Sequence, residues 1–168
     1  DVYKRQGSLS LQWREILKTK AGVIKLADNA KIKLILKQTA DGSTDSSELF
    51  TRGEFREHGG SFFIDYDESE ATGYAGSHVQ LRIGQQDDTV TMTRTGKAFS
   101  SLVFENGKRH FCQYGTEYGD CMIGISTVDM RNGMTSDGGE LYVRYTIDVN
   151  AGLMLENEIT IHVKPHNN

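Results

Sequence analysis

The chain has 168 residues, 37% of them hydrophobic, and a net charge of −4, enough for one domain with a real core and a short appendage. The charge is uneven, with nine Lys+Arg against three Asp+Glu in residues 1–40 and 10 against 20 in the remainder. An acidic body speaks against a nucleic-acid surface, which needs clustered cations, and no apolar run is long enough to cross a bilayer as a helix.

The first segment stands apart. "DVYKRQG" shows no periodicity and resembles translated adapter sequence, so residues 1–26 read as a tail, non-native or upstream of a natural start near Val23 or Leu26. Within it, Leu9, Trp13, Ile16 and Leu17 fall on one helical stripe, which predicts a poorly ordered or helical appendage. Residues 27–168 are expected to form a single domain.

From Lys31 the pattern switches to period two. "KIKLILKQ" alternates Ile32, Leu34 and Leu36 with polar residues, and a polar stretch, "ADGSTDSS", reads as a loop. Then follow "ELFTRGEFRE", "SFFIDY", "HVQLRIGQ", "TVTMTRTG", "FSSLVFE", "RHFCQYGT", "CMIGISTVDM", "ELYVRYTIDV" and "LMLENEITIHVK". The spacers "HGG", "QDD", "ENG", "YGD", "SDGG" and "NAG" are turn formers, and Asn106-Gly107 is a strong two-residue hairpin signal. Eighteen glycines against one proline, Pro165, suit antiparallel ladders. The expectation is an all-β, antiparallel, up-and-down barrel of about eight to ten strands, because closure removes exposed edges.

These strands also carry a resemblance. "IDYDESEATG", "VTMTRTG", "CQYGTEYGDCMIGIST", "ELYVRYTIDV" and "ENEITIHV" are similar to the YwiB-like family of bacterial proteins, a domain of unknown function. The likeness runs over roughly residues 32–164 through Tyr66, Glu68, Arg94, Gly96, Tyr114, Gly119, Thr127, Tyr145 and Asn157. It implies a calycin-type (lipocalin-like) barrel and no particular activity. The Gly-x-Trp mark of true lipocalins is missing, as is the Arg-x-Tyr pair of fatty-acid-binding relatives, so no specific lipid ligand is implied.

Alternation sorts the polar residues into faces. Phe62, Ile64, Tyr66 and Glu68 share one face; Phe63, Asp65 and Asp67 share the other, where the aspartates are expected in solvent. An EF-hand reading of Asp65–Glu70 fails, because glycine and the terminal glutamate do not fall at the required positions. Arg94 shares parity with Val90 and Met92 opposite a row of threonines, which turns it inward. Tyr145 lies in the apolar row of its strand, Asn157 with Ile159 and Ile161, and Thr127 with Ile123 and Ile125. An inward arginine requires a partner, and Glu68 is the carboxylate of matching parity. The expected inner polar cluster is therefore Glu68, Arg94, Tyr66, Tyr145, Asn157 and Thr127.

Such a cluster reads first as architecture, an ion pair that fixes register in a filled barrel. Its second reading is the base of a cup holding a small anionic or hydrophobic molecule. Catalysis has least support, since no nucleophile or base accompanies the pair. The five histidines lack metal-ligand spacing, no glycine-rich phosphate loop precedes a helix, and no catalytic residue, metal or cofactor is assigned. His110 and Cys112 share parity as neighbours. Cys112 and Cys121 are expected as free thiols, with the hairpin turning at Tyr118-Gly119 and Thr116 facing Cys121. The sequence thus predicts a cytoplasmic barrel that binds a small molecule, or alternatively a structural or protein-interaction module with outward Phe50, Phe63, Phe99 or Tyr142. Neither nucleic acid nor membrane is expected as a partner, and a homodimer is compatible with this picture.

Overall fold

The computed structural model describes residues 28–166 apart from 87, 117 and 151. The tail and its predicted helical stripe lie outside the described residues. Ten antiparallel strands follow one another in order: β1 (Ala30–Ala40), β2 (Ser43–His58), β3 (Ser61–Asp67), β4 (His78–Gly84), β5 (Thr89–Thr95), β6 (Ser100–Glu105), β7 (Arg109–Thr116), β8 (Gly119–Asn132), β9 (Gly139–Val149) and β10 (Leu153–Pro165). Each pairs with its neighbour in sequence, and β1 pairs with β10, so the sheet closes into a barrel. A 3-10 turn at Glu70–Thr72 interrupts the β3–β4 connection.

The period-two pattern explains why these segments are strands and which way they face. Ala30, Ile32 and Leu34 on β1, Ile64 on β3, Val79, Leu81 and Ile83 on β4, and Leu141 and Val143 on β9 are buried in one inner cluster. The lysines between them on β1 point outward. Removing these inner residues from water is the main driving force for closure, at about 25 cal/mol per Å² of apolar surface.

Two features depart from the sequence expectation. The polar stretch after β1 is not a loop: only Asp41-Gly42 turns, both with positive φ, and β2 begins at Ser43. The β7–β8 hairpin is also displaced from the expected register, with Thr116 opposite Gly119 and Tyr114, not Thr116, opposite Cys121. The cysteines are free, Cys112 buried and Cys121 exposed.

The barrel wall has one loosened seam. Between β6 and β7 only Ser100–Tyr114 and Ser101–Gln113 pair in the ladder. Beyond them β8 ties the hairpin in, through Gly107 N–H to the Thr127 carbonyl (2.9 Å) and Thr127 N–H to the Lys108 carbonyl (3.0 Å). The Val103 N–H, without a ladder partner here, donates to Cys112 Sγ at 3.4 Å.

The two ends of the barrel differ. At the end carrying the β2–β3, β4–β5, β6–β7 and β8–β9 turns, inner residues are fully buried and Met134 from the β8–β9 connection joins the core. Toward the opposite end burial fades along each inner row. On β1 it passes from Leu34, buried, through Leu36, half-buried, to Gln38, exposed; on β9 from Tyr145 to Ile147 and Val149; on β10 from Asn157 to Leu155. The barrel is therefore shut at one end and a shallow cup at the other.

Candidate functional site: the polar end of the barrel

Glu68 follows directly after β3 and prolongs its inner row. Its backbone N–H donates to the Ser77 carbonyl at 2.9 Å, which holds it in line with β4 as the chain leaves the sheet. Arg94 stands on β5, opposite Val79 of β4 and Ser100 of β6. Its Nε donates to Glu68 Oε2 at 2.8 Å and its Nη2 to Glu68 Oε1 at 3.1 Å, the fork geometry that suits guanidinium and carboxylate. The Glu68 side chain is 3% exposed and that of Arg94 15%.

The β3–β4 connection folds over this pair. Arg94 Cζ sits 3.8 Å from the ring centroid of Tyr74, a cation–π contact, and the Tyr74 hydroxyl lies 3.1 Å from that of Tyr114 on β7. The close approach is possible because residue 96 is glycine. A Cβ there would stand 2.6 Å from the Gly76 carbonyl oxygen and 2.8 Å from Ser77 Cα, and its φ is +115°. The short sequence Arg94-Thr95-Gly96 thus supplies both the buried cation and the gap that lets its cover close.

Burial works to lower the Arg94 pKa, but the hydrogen bonds and charge of Glu68 outweigh it and hold the guanidinium above its ordinary value. Burial, assisted by the Glu68 charge, pushes the Tyr66 phenol well up. Burial also raises Tyr145, whose ring packs tilted on Phe104 at 4.8 Å, and carries Tyr114 up to about 12. All three phenols stay protonated across the physiological range, so the cluster holds one cation, one anion and neutral hydroxyls.

Of the six residues selected from sequence, the structure joins Glu68 to Arg94 by hydrogen bonds and buries Tyr66 and Tyr145 in the same inner layer. Asn157 and Thr127 are buried on the inner face but make no hydrogen bond to that pair. Asn157 Oδ1 accepts from Gln38 Nε2 at 2.9 Å, while its Nδ2 and Thr127 Oγ1 are buried with no hydrogen-bond partner among the described residues. Between β1, β2 and β10 lies a cavity of about 290 Å³ whose wall includes Leu36, Gln38, Tyr145, Asn157 and Ile159. Alternation misses Tyr74, because irregular connections have no parity, whereas Gln38 was within reach as the next residue in the row of Ile32, Leu34 and Leu36. Tyr114 was within reach, since it shares parity with the inward Cys112.

The opening expectation for the acidic stretch needs one correction. Asp67 is exposed as predicted, but Asp65 is buried although it faces outward. Side chains from β4 cover it: Gln80 Nε2 donates to Asp65 Oδ1 at 3.0 Å, and His78 Nε2 lies 2.9 Å from the same oxygen. His78 Nδ1 lies 2.9 Å from Asp67 Oδ1, so the ring spans two carboxylates. The hydrogen bond to Asp65 leads in raising the His78 pKa, with Asp67 adding to it and burial opposing. Among the described residues no three His, Cys, Asp or Glu side chains are grouped to hold a metal ion.

The remaining sequence candidates are dispersed. Cys112 Sγ meets the backbone carbonyl of His110 at 3.8 Å rather than its ring, and burial raises the thiol pKa. Of the four outward aromatics named from sequence, Phe63 is covered by Arg56 at 4.3 Å, Tyr142 by Arg131 at 4.2 Å and Phe99 is half-buried, while Phe50 is 70% exposed beside Lys33; Phe111 and Tyr118 are exposed as well. Phe50 flanks an outer groove of about 830 Å³ across β9, β10, β1 and β2, with Lys31, Lys33, Arg52, His162 and Lys164 along it. No helix among the described residues is long and apolar enough to cross a membrane.

Comparison with known proteins agrees with this architecture. The family described as "Domain of unknown function (DUF1934)" matches residues 32–161. The crystal structure of the YwiB protein from Bacillus subtilis superposes with a TM-score of 0.69 at 17% identity, covering 84% of this chain and 96% of that one, which speaks to fold alone. No curated protein matches the chain.

Proposed function

The chain belongs to the DUF1934 family, which brings no activity with it, and we propose from the geometry that its barrel is a cup for a small molecule. One observation carries the reading: the inner rows that close the core at one end open at the other onto a cavity of about 290 Å³. Small-molecule sites begin at about 300 Å³ and combine apolar walls with a few convergent polar groups. Leu36 and Ile159 supply apolar wall, Gln38, Tyr145 and Asn157 supply polarity, and Lys37, Asp45 and Glu158 add one cation and two acidic side chains to the lining. The calycin kinship implied by the sequence resemblance favours the same use of a barrel interior. The two free cysteines suit a reducing compartment, and the reading places the protein in the cytoplasm.

A fragment screen followed on amide spectra of the whole chain tests the cup. Binders should shift resonances of Leu36, Gln38, Asn157 and Ile159 together and raise the melting temperature. Shifts confined to β1 and β2 residues around Phe50, or no stabilisation by any fragment, would overturn it. The second of these patterns belongs to the alternative, a scaffold whose Glu68–Arg94 pair fixes the fold. The first belongs to an interaction module, which the outer groove supports. There four fixed cations line an apolar strip of an otherwise acidic chain, and an acidic partner is the chemistry it would accept.

A further inference from the structure

Building on the cup reading, we infer that the cup selects an uncharged ligand carrying a hydrogen-bond acceptor, which Asn157 Nδ2 meets, and rejects the anion that its arginine suggests. The argument begins with Arg94. A buried guanidinium near a cavity ordinarily signals a carboxylate or phosphate, and Arg94, although not itself on the cavity wall, lies close enough to the wall residue Tyr145 to act on its phenol. Here two of its nitrogens are engaged by both oxygens of Glu68, and one face is covered by Tyr74. Its charge is already neutralised by a side chain of the protein. A ligand anion reaching this layer would add a net negative charge beside Glu68 and beside phenols that burial keeps protonated, with desolvation opposing it as well.

What the cup offers instead is a donor. Asn157 is 7% exposed and lines the cavity, its Oδ1 is occupied by Gln38, and its Nδ2 has no partner among the described residues. A buried amide donor left unsatisfied is costly, so an acceptor brought by a ligand recovers that loss on binding. The hydrogen bond from Gln38 Nε2 engages the Asn157 oxygen and leaves the NH₂ end as the group without a partner. Leu36 and Ile159, paired with each other one step toward the closed core, favour an apolar body attached to that acceptor. Esters, ketones and tertiary amides of short chains have this chemistry.

The test uses the full chain and a matched pair of probes, methyl hexanoate and hexanoate, at neutral pH. They share chain length and carbonyl and differ in charge. Methyl hexanoate is expected to bind at least tenfold more tightly and to shift the Asn157 side-chain NH₂ resonances. Asn157→Leu should weaken the ester about tenfold, the value of one neutral hydrogen bond, while leaving the melting temperature unchanged or higher. Should Asn157→Leu fail to fold, Gln38→Leu is the second probe: it frees the Asn157 amide to rotate and should erode the preference for the ester. Hexanoate bound in the cup as tightly as the ester, with shifts at Leu36 and Ile159, would overturn the inference and leave the cup standing. Absence of shifts at Leu36, Asn157 and Ile159 with either probe would overturn both. An Asn157→Leu variant that binds the ester as well as the natural chain would likewise sink the assigned donor.

Discussion

Glu68 and Arg94 should behave as a single energetic unit, and a double-mutant cycle measures how far they do. Both side chains are withdrawn from water, 3% and 15% exposed, and joined by two hydrogen bonds of 2.8 and 3.1 Å. Arg94→Leu strands a buried carboxylate and is expected to cost about 3–5 kcal/mol, the range for breaking a buried pair from one side. Glu68→Gln keeps one acceptor and loses one charge-assisted bond, for a cost of about 1.5–3 kcal/mol. In the double variant no charge remains to be stranded, so its loss should fall short of the sum by at least about 1.5 kcal/mol. Urea denaturation of the four proteins gives these values, and each kcal/mol should also appear as about 2–4 °C in melting temperature for a domain of this size. Losses that add to within about 0.5 kcal/mol would refute the reasoning. The pair would then be two independent surface-like contacts, and neither the architectural role nor the neutralised cup base would hold.

Three further outcomes follow from other parts of the barrel. Because Asp65 and Asp67 raise the His78 pKa in the folded state, the stability it contributes is fully present below its unfolded value of about 6.5 and is lost as pH rises through the folded one. The gap in urea midpoint between the natural chain and His78→Asn should therefore narrow from mildly acidic to alkaline pH; a gap that widens would contradict the assignment. Gly53→Ala would place a Cβ 2.0 Å from the Asp65 carbonyl oxygen and 2.9 Å from Ile32 Cδ1, so the backbone of β3 must move, at a cost of about 1–3 kcal/mol or more. At Gly124 the corresponding contacts are the movable ends of Arg109 and Asp148, and Gly124→Ala should cost distinctly less in the same denaturation assay. Alkylation of the native protein should modify Cys121 rapidly and Cys112 only on unfolding, since Cys112 is buried with a raised thiol pKa; peptide mass analysis reads the difference directly.

Alternation made the inner pair visible because both members extend apolar rows, Glu68 behind Phe62, Ile64 and Tyr66, and Arg94 behind Val90 and Met92. It fails where a row has no core to face. Residues 43–47 read as a loop for lack of an oily side, yet they form strand, because above the closed core both faces of β2 meet water. That blank in the pattern was the sequence sign of the cup mouth. Register is the second weakness: parity assigns a face to Cys121 but not a partner, and Tyr114 rather than Thr116 stands opposite. The third is lateral cover. Asp65 is outward by parity and still buried, since His78 and Gln80 on the adjacent strand close over it, and that depends on pairings between strands that no single strand reveals.

The distribution of polarity along the barrel axis argues for a division of labour. The shut end, with Phe55 stacked on Phe62 at 5.5 Å and Met134 drawn into the core, holds the fold chiefly by apolar burial, with Asn29 bonded to the Phe55 backbone. Glu68, Arg94 and Tyr74 then form a layer that is charged but internally satisfied, so it can border an opening without drawing counter-ions into the core. Beside that layer, on the inner face, Asn157 Nδ2 and Thr127 Oγ1 have no hydrogen-bond partner among the described residues, and Asn157 stands on the cavity wall. A filled barrel selected only for stability would gain by replacing such an amide with an aliphatic side chain of similar size, because an unpaired buried donor costs about 1–3 kcal/mol. On the cavity wall, with its oxygen engaged by Gln38, the same amide costs less once an acceptor reaches it, which is the difference that the cup reading and the scaffold reading predict for Asn157→Leu.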